Sequence, residues 1–159
     1  MNGAIIDAAQ FERVCSYIDL GKQQAQLLCG GQPATVVPGG FYLEPTIFLA
    51  EDANVRIANE EIFGPVLVIV PFDTLDEAIA IANQTEYGLA AAVWSSDIGT
   101  VHRATRQLRA GTVWVNCYDE LVDMNFPFGG YKESGNGRDN SAHALSKYTE
   151  LKSTIIRCN

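Results

Sequence analysis

The 159-residue sequence predicts an α/β fold built around a parallel sheet. Between residues 65 and 116, strand-like and helix-like patterns alternate with short connections, which is typical of parallel strands joined by right-handed helical crossovers. The strand predicted at 65–72 is continuously apolar, a pattern typical of strands that are buried on both faces. Hydrophobic residues make up 47% of the chain, a content that excludes global disorder.

The elements before this strand begin with a helix over residues 7–25. Asp7 is its predicted N-cap, and Gln10 three residues later gives the form of a capping box. Its apolar residues recur every three or four positions and form one face: Phe11, Val14, Cys15 and Ile18. A short strand, an extended segment and at most two helical turns follow at residues 27–29, 41–49 and 54–59.

Two helices and two strands are predicted after the apolar strand. Thr74 and Glu77 form a second capping box, and Ser96 or Asp97 caps the next helix, which ends before Gly111. The inner faces carry Leu75, Ala78, Ile79 and Ala82 in one helix, and Ile98, Val101, Ala104 and Leu108 in the other. The strands are predicted at residues 90–94 and 112–116.

The composition of the sequence changes at residue 118, where the alternation of strand-like and helix-like patterns ends. Residues 118–139 are rich in glycine, and loops of this length in compact domains are usually functional or disordered. Four aromatic residues within the stretch argue against disorder. A short helix at 141–148 precedes an alternating, β-branched stretch at 150–157, which predicts a terminal strand. A lone strand at a chain end is expected to pair with another subunit or with a distant sheet.

Charge and cysteine content exclude several classes of function. The net charge is −8, which disfavours nucleic acids and anionic membranes as partners, because both select basic surfaces. The four cysteines show no C-x-x-C spacing, so neither a zinc site nor a disulfide framework is predicted. The N-terminus lacks the pattern of a signal peptide. We therefore predict a soluble, cytoplasmic protein with reduced thiols.

Six short segments spread along the chain resemble the C-terminal part of the NAD(P)-dependent aldehyde dehydrogenase superfamily. They are residues 10–14 (QFERV), 39–46 (GGFYLEPT), 59–65 (NEEIFGP), 87–89 (YGL), 111–116 (GTVWVN) and 126–139 (FPFGGYKESGNGRD). The acidic loop and the ending at 143–152 (HALSKYTELK) are most similar to the branch that acts on amino-aldehydes such as γ-glutamyl-aminobutyraldehyde or betaine aldehyde. The resemblance implies a parallel-sheet part of the catalytic domain at 1–148 and an oligomerisation strand at 149–159.

The resemblance also assigns roles to five residues. Glu61 would bind the hydroxyls of the nicotinamide ribose of NAD or NADP, since a carboxylate accepts two hydrogen bonds from a vicinal diol. Phe63 would lie against the nicotinamide ring. Tyr118, Leu121 and Phe128 would line the tunnel through which the aldehyde enters, because aromatic side chains make large rigid apolar walls. The plainer alternatives are a solvated acid at Glu61 and core packing for Leu121 and Phe128.

Three acidic residues of the loop, Asp119, Glu120 and Asp123, lie near the expected tunnel. One hypothesis is that they attract an aldehyde carrying an amino group or another cation. The alternative is an ordinary solvated run of charge. The glycines of the loop are expected to serve backbone conformations with positive φ or close packing, rather than a phosphate cradle.

The catalytic groups of the family are absent from the sequence. Aldehyde oxidation through a cysteine thioester needs a nucleophilic thiolate and a general base, which the family carries in G-Q-x-C and E-L-G-G-K segments. Neither segment occurs here, so no catalytic residue is predicted and the isolated chain is expected to be inactive. Met1 just upstream of the first helix suggests a truncated reading frame or a fragment. A non-catalytic oligomerising module and an independent enzyme using Cys117 are the alternatives; His102 and His143 are expected on the surface.

Overall fold

The computed structural model describes residues 3–120 and 123–158. The chain forms two compact units, Met1–Asp73 and Thr74–Asn159, called unit 1 and unit 2 below. Both contain parallel strand pairs and helices, as the predicted α/β class requires. Within the described ranges, no helix is both long and apolar enough to cross a lipid bilayer.

Unit 1 contains two helices and a three-stranded sheet. Its elements are α1 (Ala8–Gln24), β1 (Gln26–Cys29), β2 (Thr46–Leu49), α2 (Arg56–Asn59) and β3 (Val66–Ile69). The strand order is β1-β2-β3, with β2 antiparallel to β1 and parallel to β3. Val14 and Ile18 recur on one face of α1 and pack with Phe48 of β2 in the core. Each side chain buried in this way contributes about 2 kcal/mol.

Unit 2 contains two α-helices, a 3₁₀ helix and two short sheets. Its elements are α3 (Leu75–Gln84), β4 (Tyr87–Gly88), β5 (Ala90–Val93), α4 (Ile98–Gln107), β6 (Thr112–Val115), β7 (Tyr131–Lys132) and the 3₁₀ helix Ala142–Lys147. β5 pairs with β6 in parallel, and β4 pairs with β7 antiparallel. An ion pair between Arg103 and Asp76 links α4 to α3. The loop that carries β7 is therefore tied into the unit by strand pairing.

The predicted helix starts are confirmed by side-chain caps. Asp7 accepts a hydrogen bond from the Gln10 N–H at 2.8 Å, and Thr74 accepts one from the Glu77 N–H at 3.2 Å. Asp97, and not Ser96, caps α4 by accepting from the Thr100 N–H at 2.6 Å. The hydrogen bonds with Thr100 lower the pKa of Asp97, because they stabilise the ionised carboxylate.

Two packing predictions are wrong in the structure. The strand predicted to be buried on both faces alternates instead: Leu67 is 55% exposed and Ile69 is also exposed, while Val66 and Val68 are half-buried. Ile98 and Ala82, each predicted on the inner face of its helix, are also exposed, Ile98 by 66%. Each of these residues is apolar, which is why burial was predicted. No other element of the described chain packs against the exposed side of the strand or helix.

Strand pairing also differs from the prediction of one sheet running through the alternating segment. β3 pairs with β2, which precedes it, and β5 pairs with β6. The strands predicted at 65–72, 90–94 and 112–116 thus belong to two sheets among the described residues. The pattern of alternation predicted the parallel pairings but not which neighbour each strand takes.

The end of the chain carries no regular structure in the described part. Residues 149–158 lie outside the helices and strands and are exposed, including the apolar side chains of Leu151, Ile155 and Ile156. A strand needs a hydrogen-bonded neighbour, and here a single chain is described. The oligomerisation strand at 149–159 therefore stays a prediction, with residue 159 outside the described residues.

Candidate functional site

The first candidate site is the stretch between α2 and β3, called the 60–64 segment. Glu60 closes α2, where its N–H donates to the Arg56 carbonyl at 2.9 Å. Ile62 is buried in the core of unit 1, whereas the adjacent Phe63 is 77% exposed. Phe63 has a φ of 59°, in the left-handed region that costs a non-glycine residue about 1–2 kcal/mol. The backbone turn thus buries Ile62 and presents the Phe63 ring to solvent.

Side chains of α1 donate hydrogen bonds to the backbone carbonyls of this segment. Gln10 Nε2 donates to the carbonyls of Ile62 and Phe63, at 3.1 and 3.0 Å. Arg13 Nη2 donates to the carbonyl of Glu61 at 2.6 Å. Residues three apart lie on the same face of a helix. One face of α1 therefore satisfies three consecutive carbonyls that have left regular structure.

The carboxylate of Glu60 is held from two directions. Arg56 donates to it through Nε and Nη2, at 2.7 and 2.9 Å, and the Tyr17 hydroxyl donates at 2.8 Å. The bonds from Arg56 and then Tyr17 lower the pKa of Glu60 to about 2. The bond to Glu60 raises the pKa of Tyr17. The Arg13 guanidinium lies 5.5 Å from the centre of the Tyr17 ring, which is within cation–π distance.

An open groove of about 290 Å³ lies beside the 60–64 segment. Its lining includes Phe63, Gly64 and apolar residues of β3. The Glu61 side chain is exposed, and within the described part of unit 1 its carboxylate accepts no hydrogen bond. The groove lining includes Glu60 and not Glu61, which is two residues from Phe63 in the sequence. A free carboxylate and an exposed aromatic ring on one short segment can bind a ligand that joins hydroxyl groups to a flat ring.

Gly64 lets the chain pass close to α1. A Cβ at this position would lie 2.7 Å from a methyl group of Val14, which is fully buried. Any larger residue would have to displace a core side chain. The end of the 60–64 segment is therefore fixed by packing as well as by hydrogen bonds.

The second candidate site is the long stretch 118–139, called the 118–139 loop. It lines an open cavity of about 780 Å³ together with β6. Phe128 faces this cavity, and its backbone exchanges two hydrogen bonds with Asp139, at 2.8 and 2.7 Å. The Tyr118 ring packs against Trp114 with centroids 5.1 Å apart. Leu121, the third predicted tunnel residue, lies outside the described residues.

The acidic residues of the loop share this cavity. Its lining includes Asp119, Glu120 and Asp123, together with Cys117 at the end of β6. Asp123 Oδ1 accepts from the backbone and side-chain nitrogens of Asn125, both at 2.8 Å. The three acids thus line one concave surface of unit 2, and whether that surface is the substrate tunnel stays a prediction.

Lysine and serine side chains attach the loop to the rest of unit 2. Lys132 Nζ donates to the carbonyls of Asn83 and Thr85, at 2.7 and 2.8 Å, where α3 ends. Ser134 Oγ accepts from the Gly88 N–H at 3.0 Å. Carbonyls in the last turn of a helix lack partners within the helix, and a lysine there satisfies them.

A close approach of two backbones fixes the start of the glycine-rich part of the loop. A Cβ on Gly111 would lie 1.6 Å from the Gly129 carbonyl oxygen. No rotation of a side chain can relieve this overlap, since the backbone fixes the position of the Cβ and the oxygen belongs to the main chain. Only glycine fits at Gly111 without moving the loop.

Cys117 follows β6, and the two histidines lie on other elements of unit 2. Cys117 is half-buried, and His102 and His143 are exposed on α4 and the 3₁₀ helix. Among residues 3–120 and 123–158, no three His, Cys, Asp or Glu side chains lie close enough together to hold a metal ion.

Several residues that shape the two sites act on partners far away in the sequence. Gln10 was expected to complete a capping box with Asp7, but its amide turns to carbonyls 52 and 53 residues away. Tyr17 and Lys132 likewise act on distant partners. The spacing of Gln10, Arg13 and Tyr17 on one helix face is the signal that could have marked them, because polar residues on such a stripe need partners.

Comparison with known proteins places both segments in one family. The aldehyde dehydrogenase family model matches residues 1–154. A betaine aldehyde dehydrogenase of Mesorhizobium japonicum is 47% identical over 157 residues, covering 97% of this chain and 32% of the relative. The NADP/NAD-dependent aldehyde dehydrogenase PuuC of Escherichia coli is 48% identical over 154 residues, covering 97% of this chain and 30% of the relative.

Solved structures agree with the sequence relatives. A γ-glutamyl-γ-aminobutyraldehyde dehydrogenase from Burkholderia cenocepacia superposes with a TM-score of 0.91 at 62% identity, over 98% of this chain and 31% of that one. An NAD+ complex of an aldehyde dehydrogenase from Bacillus cereus gives 0.90 at 44% identity, over 99% and 32%. The chain thus spans about a third of the length of the relatives it matches, at 30–32% for the two curated ones. It belongs to the aldehyde dehydrogenase family.

Proposed function

We propose that this chain forms the C-terminal part of the catalytic domain of an NAD(P)-dependent aldehyde dehydrogenase, which oxidises an aldehyde to a carboxylic acid. The observation that carries the proposal is the 60–64 segment, where an unengaged carboxylate and an exposed aromatic ring stand two residues apart on a backbone held in a left-handed turn. Relatives described as betaine aldehyde and NADP/NAD-dependent aldehyde dehydrogenases support it.

The Glu61 carboxylate, a hydrogen-bond acceptor, and the Phe63 ring together suit a nicotinamide nucleotide. Glu61 would accept hydrogen bonds from both hydroxyls of the nicotinamide ribose, and the Phe63 ring would lie against the nicotinamide and limit its movement. When bound, NAD or NADP accepts the hydride that leaves the aldehyde carbon. This chain would bind and orient the nicotinamide ring and its ribose. Such orientation favours the reaction because it holds the nicotinamide close to the aldehyde carbon.

The 118–139 loop is the proposed wall of the substrate tunnel. Tyr118, Leu121 and Phe128 would guide the aldehyde along an apolar surface. The cavity beside Phe128, at about 780 Å³, lies within the range of small-molecule sites. The segments that carry the nucleophilic cysteine and the general base of the family do not occur in this sequence. The proposed part of this chain is therefore to line the substrate tunnel, and the covalent step takes place on other residues of the enzyme.

The acids around this cavity suggest a preference for cationic aldehydes. Asp119 and Asp123 would raise the local concentration of an amino-aldehyde by electrostatic attraction. In an active enzyme carrying this chain, Asp119→Asn with Asp123→Asn should raise KM for an amino-aldehyde and leave KM for a neutral aldehyde of equal length unchanged. Equal effects on the two aldehydes would show that the acids are only a solvated run of charge.

We further propose that residues 149–159 pair as a strand with another copy of the enzyme. The exposed apolar side chains of Leu151, Ile155 and Ile156 in this segment support such pairing. They also favour the second candidate function, a non-catalytic module that assembles through its terminal strand. Light scattering on the chain with and without residues 149–159 tests the pairing: loss of a dimer or larger species on deletion supports it, and an unchanged mass contradicts it.

The activity is tested with a chimera in which this chain replaces the matching third of the Escherichia coli relative. The chimera should reduce NAD+ or NADP+ in the presence of an aldehyde, whereas the 159-residue chain alone should not. A folded but inactive chimera would favour the non-catalytic module. Reduction by the chain alone, lost in Cys117→Ala, would instead show an independent cysteine enzyme.

The proposed location is the cytoplasm. All four cysteines are free thiols in the structure, and unpaired thiols suit a reducing compartment. Fractionation of cells that express the protein tests this placement: recovery with cytoplasmic markers supports it, and recovery with an organelle or the cell envelope contradicts it.

A further inference from the structure

The two neighbouring glutamates of the 60–64 segment are in opposite states. The Glu60 carboxylate is engaged by Arg56 and Tyr17, whereas the Glu61 carboxylate is exposed and accepts no hydrogen bond from the described residues. The two adjacent glutamates therefore differ in role: the Glu60 carboxylate is bound to protein side chains, and the Glu61 carboxylate is available to a ligand.

The fixed carboxylate lies at the start of a strained turn. Phe63 has a φ of 59°, and a non-glycine residue keeps such a conformation only where its surroundings determine it by several contacts. Those contacts come from α1, where Gln10, Arg13 and Tyr17 share one face and donate to the segment. Removing a contact should let the turn relax, because its strain is then opposed by fewer bonds.

We propose that Glu60 and Tyr17 are positioning residues of the nicotinamide site, whose hydrogen bond fixes the backbone that carries Glu61 and Phe63. The proposal rests on the proposed function of Glu61 and goes beyond it, since it assigns the first glutamate of the pair a role without ligand contact. Arg56 completes the arrangement by orienting the Glu60 carboxylate through two bonds.

The Arg56 pairing also separates the roles of two adjacent acids. If both carboxylates were free, their like charges would repel each other and disfavour ionisation. The ion pair with Arg56 leaves a single free carboxylate in the segment. The backbone that carries this carboxylate is held before the ligand binds, which reduces the ordering that binding requires.

The first experiment measures backbone order in the 159-residue chain by ¹⁵N relaxation. In the native chain, residues 61–64 should have order parameters of about 0.85, and in Tyr17→Phe or Glu60→Ala they should fall below about 0.6. Glu60→Gln keeps an acceptor for the Tyr17 hydroxyl and should fall between the two. The matched controls Tyr42→Phe and Glu44→Ala, in the same unit, should leave residues 61–64 unchanged.

The second experiment measures kinetics in the chimera with the Escherichia coli relative. Tyr17→Phe should raise KM for NAD+ by about five-fold, the equivalent of one hydrogen bond, and leave KM for the aldehyde unchanged. Normal order parameters and an unchanged KM for NAD+ in Tyr17→Phe and Glu60→Ala would overturn the positioning role. If Glu61→Gln also left KM for NAD+ unchanged, the proposed function itself would fail, so the two failures are distinguishable.

Discussion

The 60–64 segment of unit 1 and the 118–139 loop of unit 2 both carry predicted site residues, and they are held in different ways. Side chains of α1 hold the first through its carbonyls and the Glu60 carboxylate. The second is held by a backbone contact at Gly111 and by Lys132 at the end of α3. The first therefore depends mostly on polar side chains of one helix, with Gly64 packed against the Val14 side chain. The second combines the Lys132 bonds with a contact between two backbones that only glycine permits.

The largest effect should come from closing that space with Gly111→Ala. The added methyl would meet the Gly129 carbonyl oxygen at 1.6 Å, so the loop must move, at a cost of about 3 kcal/mol or more in the free energy of unfolding. Urea denaturation measures it. Gly99→Ala in α4 is the control: it meets only the Asp97 carboxylate, at 3.3 Å, and should stabilise by up to about 1 kcal/mol. Equal effects would contradict the backbone contact.

A smaller effect is expected at the other attachment of the loop. Lys132→Met removes two hydrogen bonds to carbonyls at the end of α3. Because Lys132 is exposed, the loss should be about 1 kcal/mol of unfolding free energy. Lys152→Met in the exposed end of the chain is the control and should change nothing measurable. Identical unfolding midpoints for both variants would show that Lys132 does not anchor the loop.

Strain in the 60–64 segment gives a third and similar effect. Phe63→Gly relieves the left-handed conformation at a φ of 59°, which offsets the entropy that glycine adds to the unfolded chain. Phe72→Gly, at another exposed phenylalanine, carries that entropy cost without relief. The two variants should differ by about 1 kcal/mol in unfolding free energy, with Phe63→Gly the more stable. The reverse order would mean that the turn is unstrained.

The smallest effect is a pH dependence at Glu60. A carboxyl whose pKa is lower in the folded state stabilises the fold above its unfolded pKa, and this stabilisation is lost as the pH falls through the folded value. For Glu60 the loss should run from pH 4.5 down to about 2. The stability difference between the native chain and Glu60→Gln should therefore be smaller at about pH 3 than at about pH 5. A constant difference would contradict the Arg56 and Tyr17 bonds.

The sequence predicts the local features of this molecule better than its distant ones. The caps at Asp7, Thr74 and Asp97 follow from residues three apart, since a cap and its donor are close in the chain. The apolar face of α1 is predicted by the same periodicity and is found in the core at Val14 and Ile18. Each of these features depends on residues within a single helix, so the local sequence pattern is enough to predict it.

Features that join separate elements were not predictable in this way. The Tyr17 bond to Glu60 spans 43 residues, and the Lys132 bond to Asn83 spans 49. The exposed face of β3 was predicted to be buried. An apolar run indicates that both faces of a strand favour burial, but it does not show that the described chain has an element that packs against each face. The motifs around Glu61 and Phe128 predict two candidate sites, but they do not predict the side chains that hold those segments in place.

One measurement tests the roles of the two regions most directly. It determines KM for NAD+ and KM for the aldehyde in two variants of the chimera with the Escherichia coli relative, Glu61→Gln and Phe128→Ala. Glu61→Gln should raise KM for NAD+ about ten-fold, as loss of a charged hydrogen bond would, and leave KM for the aldehyde unchanged. Phe128→Ala should do the opposite. If both variants changed the same constant, or neither changed any, the assignment of one segment to the cofactor and the other to the substrate would be contradicted.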